Sequence, residues 1–313
     1  MTVGIDLIAG QDHPAQREIA FDDLIGWAED NHHDALKVYR QSGNEDLVGP
    51  DDARAFFEER FRPVLIGDPE CALFTGYFEP ELDGSLTPST AFPVPIYRRP
   101  DALSSDAPWL TRCEIEESDA LSGLELAWVA SAADAFFLQV QGSGRIRLRE
   151  GGCLRVGYDG RNGHPYRSIG KELLRRSIFT SEEISADAIR DWIEVNPVEG
   201  RALMHHNPSF VFFRPLNMPE AQGPIGTLGC PVTAMRSIAV DPDHTPLGLP
   251  VWIETDGPQP IRRLMIAQDT GAAIKGPQRA DIFIGTGRDA GRIAGGMKQG
   301  GRMIALLPRL PAA

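Results

Sequence analysis

The chain has 313 residues, enough for two domains and a substantial core, and its hydrophobic (42%) and charged (24%) fractions are those of a globular protein. Lys and Arg total 31 against 44 Asp and Glu, a formal net charge of −13, which argues against nucleic acid as a partner because phosphate contacts demand a basic face. No apolar run reaches transmembrane length, and the opening MTVGIDLIAGQDHPAQ has neither the basic region and apolar core of a signal peptide nor a cysteine to take a lipid.

Phe21, Leu24, Ile25, Ala28, Ala35, Leu36 and Tyr39 recur at helical intervals and predict one helix from Phe21 to Gln41, stopped by Gly43 and Asn44. Pro50-Asp51-Asp52 starts a second helix that runs through Arg60 and ends at Pro63. Cys71 to Phe78 reads as a strand. Its Gly76 marks close approach of backbone or ligand, and Tyr77 is either a sugar-stacking ring or a core aromatic. Asp83 to Asp106, rich in Pro, Ser and Thr, predicts a domain crossing with one short apolar stretch at Val94 to Tyr97.

Ser131 to Phe137 predicts a helical turn, Leu138 to Gln141 an alternating strand, and Gly142-Ser143-Gly144 a tight turn. Gln139, Gln141 and Ser143 are uncharged groups of the kind that bind sugar hydroxyls; the alternative is an ordinary hairpin. Arg145, Arg147, Arg149, Arg155 and Arg161 are either a basic patch for an acidic ligand or a solvated strand edge. Leu154 to Tyr158 predicts a strand and DGRNG, Asp159 to Gly163, a turn. Gly170-Lys171 does not make a phosphate loop, because Glu172 stands where Ser or Thr is required. Helices are predicted at Ser168 to Ser177, Ser185 to Val195 and Val198 to Met204, and a strand at Ser209 to Arg214.

Gly223 to Gly229 is a glycine loop, and Asp241-Pro242-Asp243 is a turn that does not continue into a calcium loop. Strands are predicted at Val251 to Glu254, Leu264 to Ala267, Ile282 to Ile284 and Met303 to Leu307, with a helix at Arg288 to Met297. Helices grouped early and in the middle, with short strands dominating the end, give an α+β chain. Cys71, Cys113, Cys153 and Cys230 form no CxxC and have no histidine at metal spacing. They read as small apolar residues, and no metal or cofactor is expected.

Arg263 to Gly285 holds the densest chemistry. Asp269 closes one apolar run and Asp281 opens the next, with Lys275 in the Gly/Pro loop between them. An acid at the lip of a buried strand is partly desolvated, which favours its protonated form. A general acid needs that, since a free aspartate titrates near about 3.9. For any one of these acids the competing explanation is a turn cap. Lys275 either offsets the acids around Asp281 or pairs with Asp269. Asp269-Thr270-Gly271 is also the aspartic-protease signature, but its single copy would require a symmetric dimer.

FTGYFEPEL (Phe74–Leu82), VQGSGRI (Val140–Ile146), GRNGHPYRSIGKEL (Gly160–Leu173), NPSFVFFR (Asn207–Arg214), GPIGTLGCPVTAMRSIAVDP (Gly223–Pro242) and QDTGAAIKGPQRADIFIGTG (Gln268–Gly287) follow in that order. Together they resemble the membrane-bound lytic transglycosylase A (MltA) family, which cleaves bacterial peptidoglycan. The resemblance implies a mainly β fold with α-helices. A double-psi β-barrel would be built from residues 1–82 and 216–313, and a second β-rich domain, 83–215, would be inserted into it to form the other wall of a glycan groove. It implies cleavage of the β-1,4 bond between N-acetylmuramic acid and N-acetylglucosamine, leaving a 1,6-anhydromuramic end. By motif position Asp281 matches the catalytic aspartate, acid and then base, with Asp269 and Asp241 as supporting acids. Thr75, Gly76, Tyr77, Gln139, Gln141, Gly142, Ser143, Gly144 and Lys275 would contact substrate. The implied partners are peptidoglycan glycan strands and proteins of wall synthesis or remodelling, in the periplasm or at the outer membrane. The residues by themselves also admit a two-carboxylate hydrolase or a non-catalytic glycan-binding protein.

Overall fold

The computed structural model describes residues 14–44, 52–101, 103 and 107–309. The opening segment, the Pro50-Asp51 part of the second predicted helix start and the end of the predicted crossing at 104–106 lie outside the described residues.

The elements, in chain order, are β1 (Gln16–Glu18), α1 (His32–Gln41), α2 (Ala53–Arg60), β2 (Phe61–Ile66), β3 (Leu73–Glu79), β4 (Glu81–Ser85), β5 (Val94–Tyr97), α3 (Arg112–Glu116), β6 (Glu125–Val129), α4 (Ala132–Gln141), β7 (Ser143–Leu148) and β8 (Cys153–Arg161). They continue with α5 (Ile169–Arg175), α6 (Ala186–Val195), α7 (Pro197–His205), β9 (Val211–Pro215), β10 (Ser237–Val240), β11 (Pro250–Thr255), β12 (Arg262–Thr270), β13 (Arg279–Thr286), α8 (Arg288–Gly296), β14 (Lys298–Gln299) and β15 (Gly301–Pro308).

Three predicted elements are corrected. The helix expected over Phe21 to Gln41 is two single 3₁₀ turns followed by α1, because Gly26 sits at φ +82° and breaks the run, and Asn31 caps α1 by accepting from the Asp34 N–H. Leu138 to Gln141 is not a strand. Ser131 caps α4 through the Ala133 and Asp134 N–H groups, and the helix continues to Gln141, where Gly142 at φ +77° ends it. DGRNG is not a turn either: β8 runs through it to Arg161, with a register shift between Tyr158 and Gly160 against β9 and Gly160 at φ +130°.

The chain divides into two compact units. The first comprises the chain through Phe74, Arg236–Asp281 and the segment from Lys298 onward. Its strands run in the order β1-β2-β15-β11-β12-β10, and β13, β3 and β14 continue the same sheet. β2, β15, β11 and β12 pair antiparallel, whereas β10 lies parallel to β12. Alternate residues of β15 enter two different cores: Ile304 and Leu306 join α1 and α2 around Phe56, Phe57 and Trp252, while Ala305 and Leu307 join Val64, Ile66 and Leu249. Strands apolar on both faces belong in the interior of a sheet covered on both sides or closed on itself.

The second unit comprises Thr75–Met235 and Ile282–Met297. It holds a six-stranded sheet of order β5-β6-β4-β7-β8-β9. Ala135 and Leu138 of α4 pack on Ile146, Val156 and Phe213 of that sheet, and Ala133 and Phe136 pack on α5, α6 and α7 through Leu173, Ile189 and Leu203. The division between the units falls inside β3 and inside β13.

Candidate active site

In the first unit, Asp241 directly follows β10. The parallel register sets Ala239 opposite Asp269 and Val240 opposite Thr270, so Asp241, Asp269 and Thr270 gather at one end of this strand pair. Asp241 is only 4% exposed. Its Oδ1 accepts from Lys275 Nζ at 3.1 Å and from the Asp243 N–H at 3.4 Å, and its Oδ2 accepts from the Gly276 N–H at 2.9 Å. Burial alone would raise its pKa. The Gly276 N–H, the Lys275 ammonium and the Asp243 N–H outweigh burial and hold the carboxyl below the usual aspartate range. Lys275 therefore pairs with Asp241, and the pairing with Asp269 considered from sequence is replaced by this one.

Asp269 lies within β12, half-buried, and its Oδ1 accepts from the Thr270 N–H at 2.9 Å. Asp281 is the third residue of β13, half-buried between the fully buried Ala280 and Ile282. It stands inside the strand rather than at its lip. Strand alternation places Arg279 on the same face. The Arg279 guanidinium donates to the Leu73 and Ala280 carbonyls. Burial pushes the Arg279 pKa down and the charge of Asp281 pushes it back up. That attraction is reciprocal, so Arg279 is a countercharge for Asp281 that the motif reading missed.

In the second unit, Thr75, Gly76 and Tyr77 lie half-buried on β3, with the Tyr77 ring 5.2 Å from the Phe283 ring. The close approach expected at Gly76 is to backbone: a Cβ there would stand 2.9 Å from Ala294 Cα of α8 and 3.0 Å from Ile284 Cγ1 of β13. The Phe78 N–H donates to Gln141 Oε1 at 3.4 Å, which brings the end of α4 to β3. Gly142 is the cap that turns α4 into β7, where Ser143 registers with Gly157, and Gly144 has Leu138 and Pro80 where a Cβ would go. Thr75 to Tyr77 and Gln141 to Gly144 are therefore neighbours.

Gln139 turns the other way. It is buried, and its Oε1 accepts from Arg112 Nη2 at 2.5 Å and from the Val211 N–H at 3.4 Å. Its amide is committed to the interior, because the 2%-exposed Arg112 needs acceptors on every side and finds the others at the Asn207 and Ser209 carbonyls and the Glu116 carboxylate.

Sequence reasoning also missed Glu79. This fully buried carboxylate accepts from Arg145 Nε and Arg155 Nη2, each at 2.8 Å, and from Thr286 Oγ1 at 2.9 Å. Two of the five arginines read as a basic patch are thus spent on one buried acid, and Arg147 pairs with Glu81 at 2.5 Å. The signal was present in FEPEL, whose first glutamate lies within an apolar strand.

Residues 73–214 match the MltA specific insert domain and residues 236–307 the 3D domain. The lytic transglycosylase LtgG of Burkholderia pseudomallei is 42% identical, with 97% of this chain and 99% of that one aligned and a TM-score of 0.64. The chain belongs to the MltA family. The crystal structure of E. coli MltA with bound chitohexaose is 30% identical over 96% of this chain and 94% of that one, with a TM-score of 0.73. The membrane-bound lytic murein transglycosylase A of Vibrio cholerae serotype O1 is 37% identical over 248 residues, 75% of this chain. The chain spans 65% of the length of that relative. With its MltA neighbours the chain shares a double-psi β-barrel with an inserted, β-rich second domain. Among the described residues no helix is long and apolar enough to cross a membrane.

Proposed function

We propose that this protein is a lytic transglycosylase that cleaves the β-1,4 bond between N-acetylmuramic acid and N-acetylglucosamine in peptidoglycan, with Asp281 as its acid and then its base. The observation that carries the reading is the match to a solved relative with chitohexaose bound, which aligns over 96% of this chain and so spans both the insert domain and the 3D domain. The relatives' names, membrane-bound lytic murein transglycosylase, support the same activity and a periplasmic or outer-membrane site of action.

The chemistry needs one group that gives a proton and takes one back. Asp281 protonates the bridging oxygen as the glycosidic bond breaks. As a carboxylate it then accepts the proton of the muramyl 6-hydroxyl, whose oxygen attacks the anomeric carbon and closes the 1,6-anhydro ring. Proximity drives this intramolecular attack, so neither water nor a protein nucleophile is required. Asp241 is a poor candidate for the proton donor because Lys275 and Gly276 hold it ionised. Its role, with Asp269, is to supply fixed negative charge that stabilises an oxocarbenium-like transition state. Thr75, Tyr77, Gln141 and Ser143 are the groups we assign to the glycan, and Gly76, Gly142 and Gly144 shape their backbone. Residues 1–82 and 216–313 would form the catalytic domain and 83–215 the inserted one.

The test is product analysis after digestion of purified peptidoglycan. Anhydro ends support the proposal, reducing ends indicate a hydrolase, and uncut glycan indicates a binding protein.

A further inference from the structure

The second unit carries a cluster that the glycan chemistry does not use. Thr111 caps α3 in a reciprocal arrangement with Glu114, which fixes where the helix begins. Cys113 and Glu117 then fall four residues apart, on one face, with Cys113 half-buried and Glu117 exposed. α7 ends at His205. Ligand atoms of Cys113, Glu117 and His205 all lie within 4.8 Å of one another.

Hydrogen bonds frame the cluster. Glu116 Oε2 lies 2.9 Å from His205 Nε2, and Glu116 Oε1 lies 3.0 Å from Nη1 of the buried Arg112. A carboxylate on one imidazole nitrogen is how metal-binding histidines are oriented through the other. The nearby positive charge of Arg112 is absorbed by Glu116, Gln139 and two backbone carbonyls.

We propose that Cys113, Glu117 and His205 form a zinc-class divalent metal site that ties α3 to the end of α7. The donor set of one sulfur, one imidazole nitrogen and one carboxylate oxygen suits zinc among the common divalent ions. Tetrahedral zinc places its donors about 3.3–3.8 Å apart, from bond lengths of about 2.0–2.3 Å, so closing the set takes side-chain adjustments of about 1 Å. Glu117 is exposed and free to make them. Binding releases the thiol proton to solvent as the thiolate, the carboxylate and the imidazole each form a bond to the metal. The thiolate and carboxylate charges then balance the dication, and a fourth position is left for water. Spacing along the sequence gave no sign of this, because His205 lies 88 positions beyond Glu117.

Cobalt(II) titration of the reduced full chain tests the site, since a cobalt–thiolate bond has its own charge-transfer absorption. The expected result is a band that saturates at one equivalent, is displaced by zinc, survives Cys71→Ser and is lost in Cys113→Ser. His205→Ala should weaken cobalt binding more than tenfold, and Glu116→Gln by about ten- to a hundredfold as a positioning residue. Zinc should raise the melting temperature of the wild type and leave that of Cys113→Ser unchanged. Absence of a thiolate band, or a band that persists in Cys113→Ser or keeps its affinity in a folded His205→Ala, would overturn the assignment.

Discussion

Asp241 and Glu79 are both buried carboxylates, and the groups around them give each a fixed task. Asp241 accepts from a lysine and two backbone amides. Hydrogen bonds to a charged group contribute about 1.5–3 kcal/mol each, so Asp241→Asn is expected to lower unfolding stability by about 2–3 kcal/mol at pH 7. Lys275 is 62% exposed on its side chain, and Lys275→Ala should cost under about 1 kcal/mol. Because the folded-state pKa of Asp241 lies below its unfolded value, its contribution is complete above the ordinary aspartate range near about 3.9 and is lost as pH falls through the folded value. Denaturant curves of wild type and Asp241→Asn should therefore converge in acid; a gap that stays constant with pH would contradict this. Glu79→Gln leaves the 3%-exposed Arg155 without its countercharge and should cost about 3–5 kcal/mol. Glu81→Gln, whose partner Arg147 is 65% exposed, should stay within about 1 kcal/mol. Equal losses in the two variants would sink the distinction.

At the scale of elements, α4 separates two glutamines that the sequence paired. Gln139 faces Arg112 in the interior and Gln141 faces β3. Gln139→Ala is expected to destabilise the fold by about 1–3 kcal/mol by removing an acceptor from a buried guanidinium. Gln141→Ala should leave the melting temperature nearly unchanged and weaken chitooligosaccharide binding. Unaltered affinity in Gln141→Ala would remove that residue from the glycan site. The misreading has a local cause: Leu138 to Gln141 alternates apolar and polar residues over four positions, too short a window to separate a strand from the end of a helix. Elements with caps or long apolar runs were legible, among them α2 behind Asp52, α6 behind Ser185, and the strands β11, β12 and β13. The split of the first predicted helix turned on the backbone of one residue, Gly26, inside an otherwise helical pattern. In the candidate site, the acids were legible as residues from their apolar flanks. Their countercharges were not: Lys275 meets Asp241 across 34 positions, and Arg145 and Arg155 meet Glu79 across 66 and 76.

For the molecule as a whole, a net charge of −13 gives an acidic wall polymer no long-range attraction. Arg145 and Arg155 are already committed inside the second unit, so under the proposed function binding would rest on short-range contacts. Raising ionic strength should leave sedimentation with purified peptidoglycan unchanged or tighten it by screening repulsion. A steep loss with salt would return the exposed arginines to the binding face. Mass analysis of the products of peptidoglycan digestion by wild type and by Asp281→Asn bears most directly on the central claim. Wild type should release 1,6-anhydromuramyl products. Asp281→Asn should fold, bind glycan and form those products at least about a thousandfold more slowly, a loss of at least ~4 kcal/mol in transition-state stabilisation. Near-normal turnover by Asp281→Asn, or reducing-end products from the wild type, would contradict it.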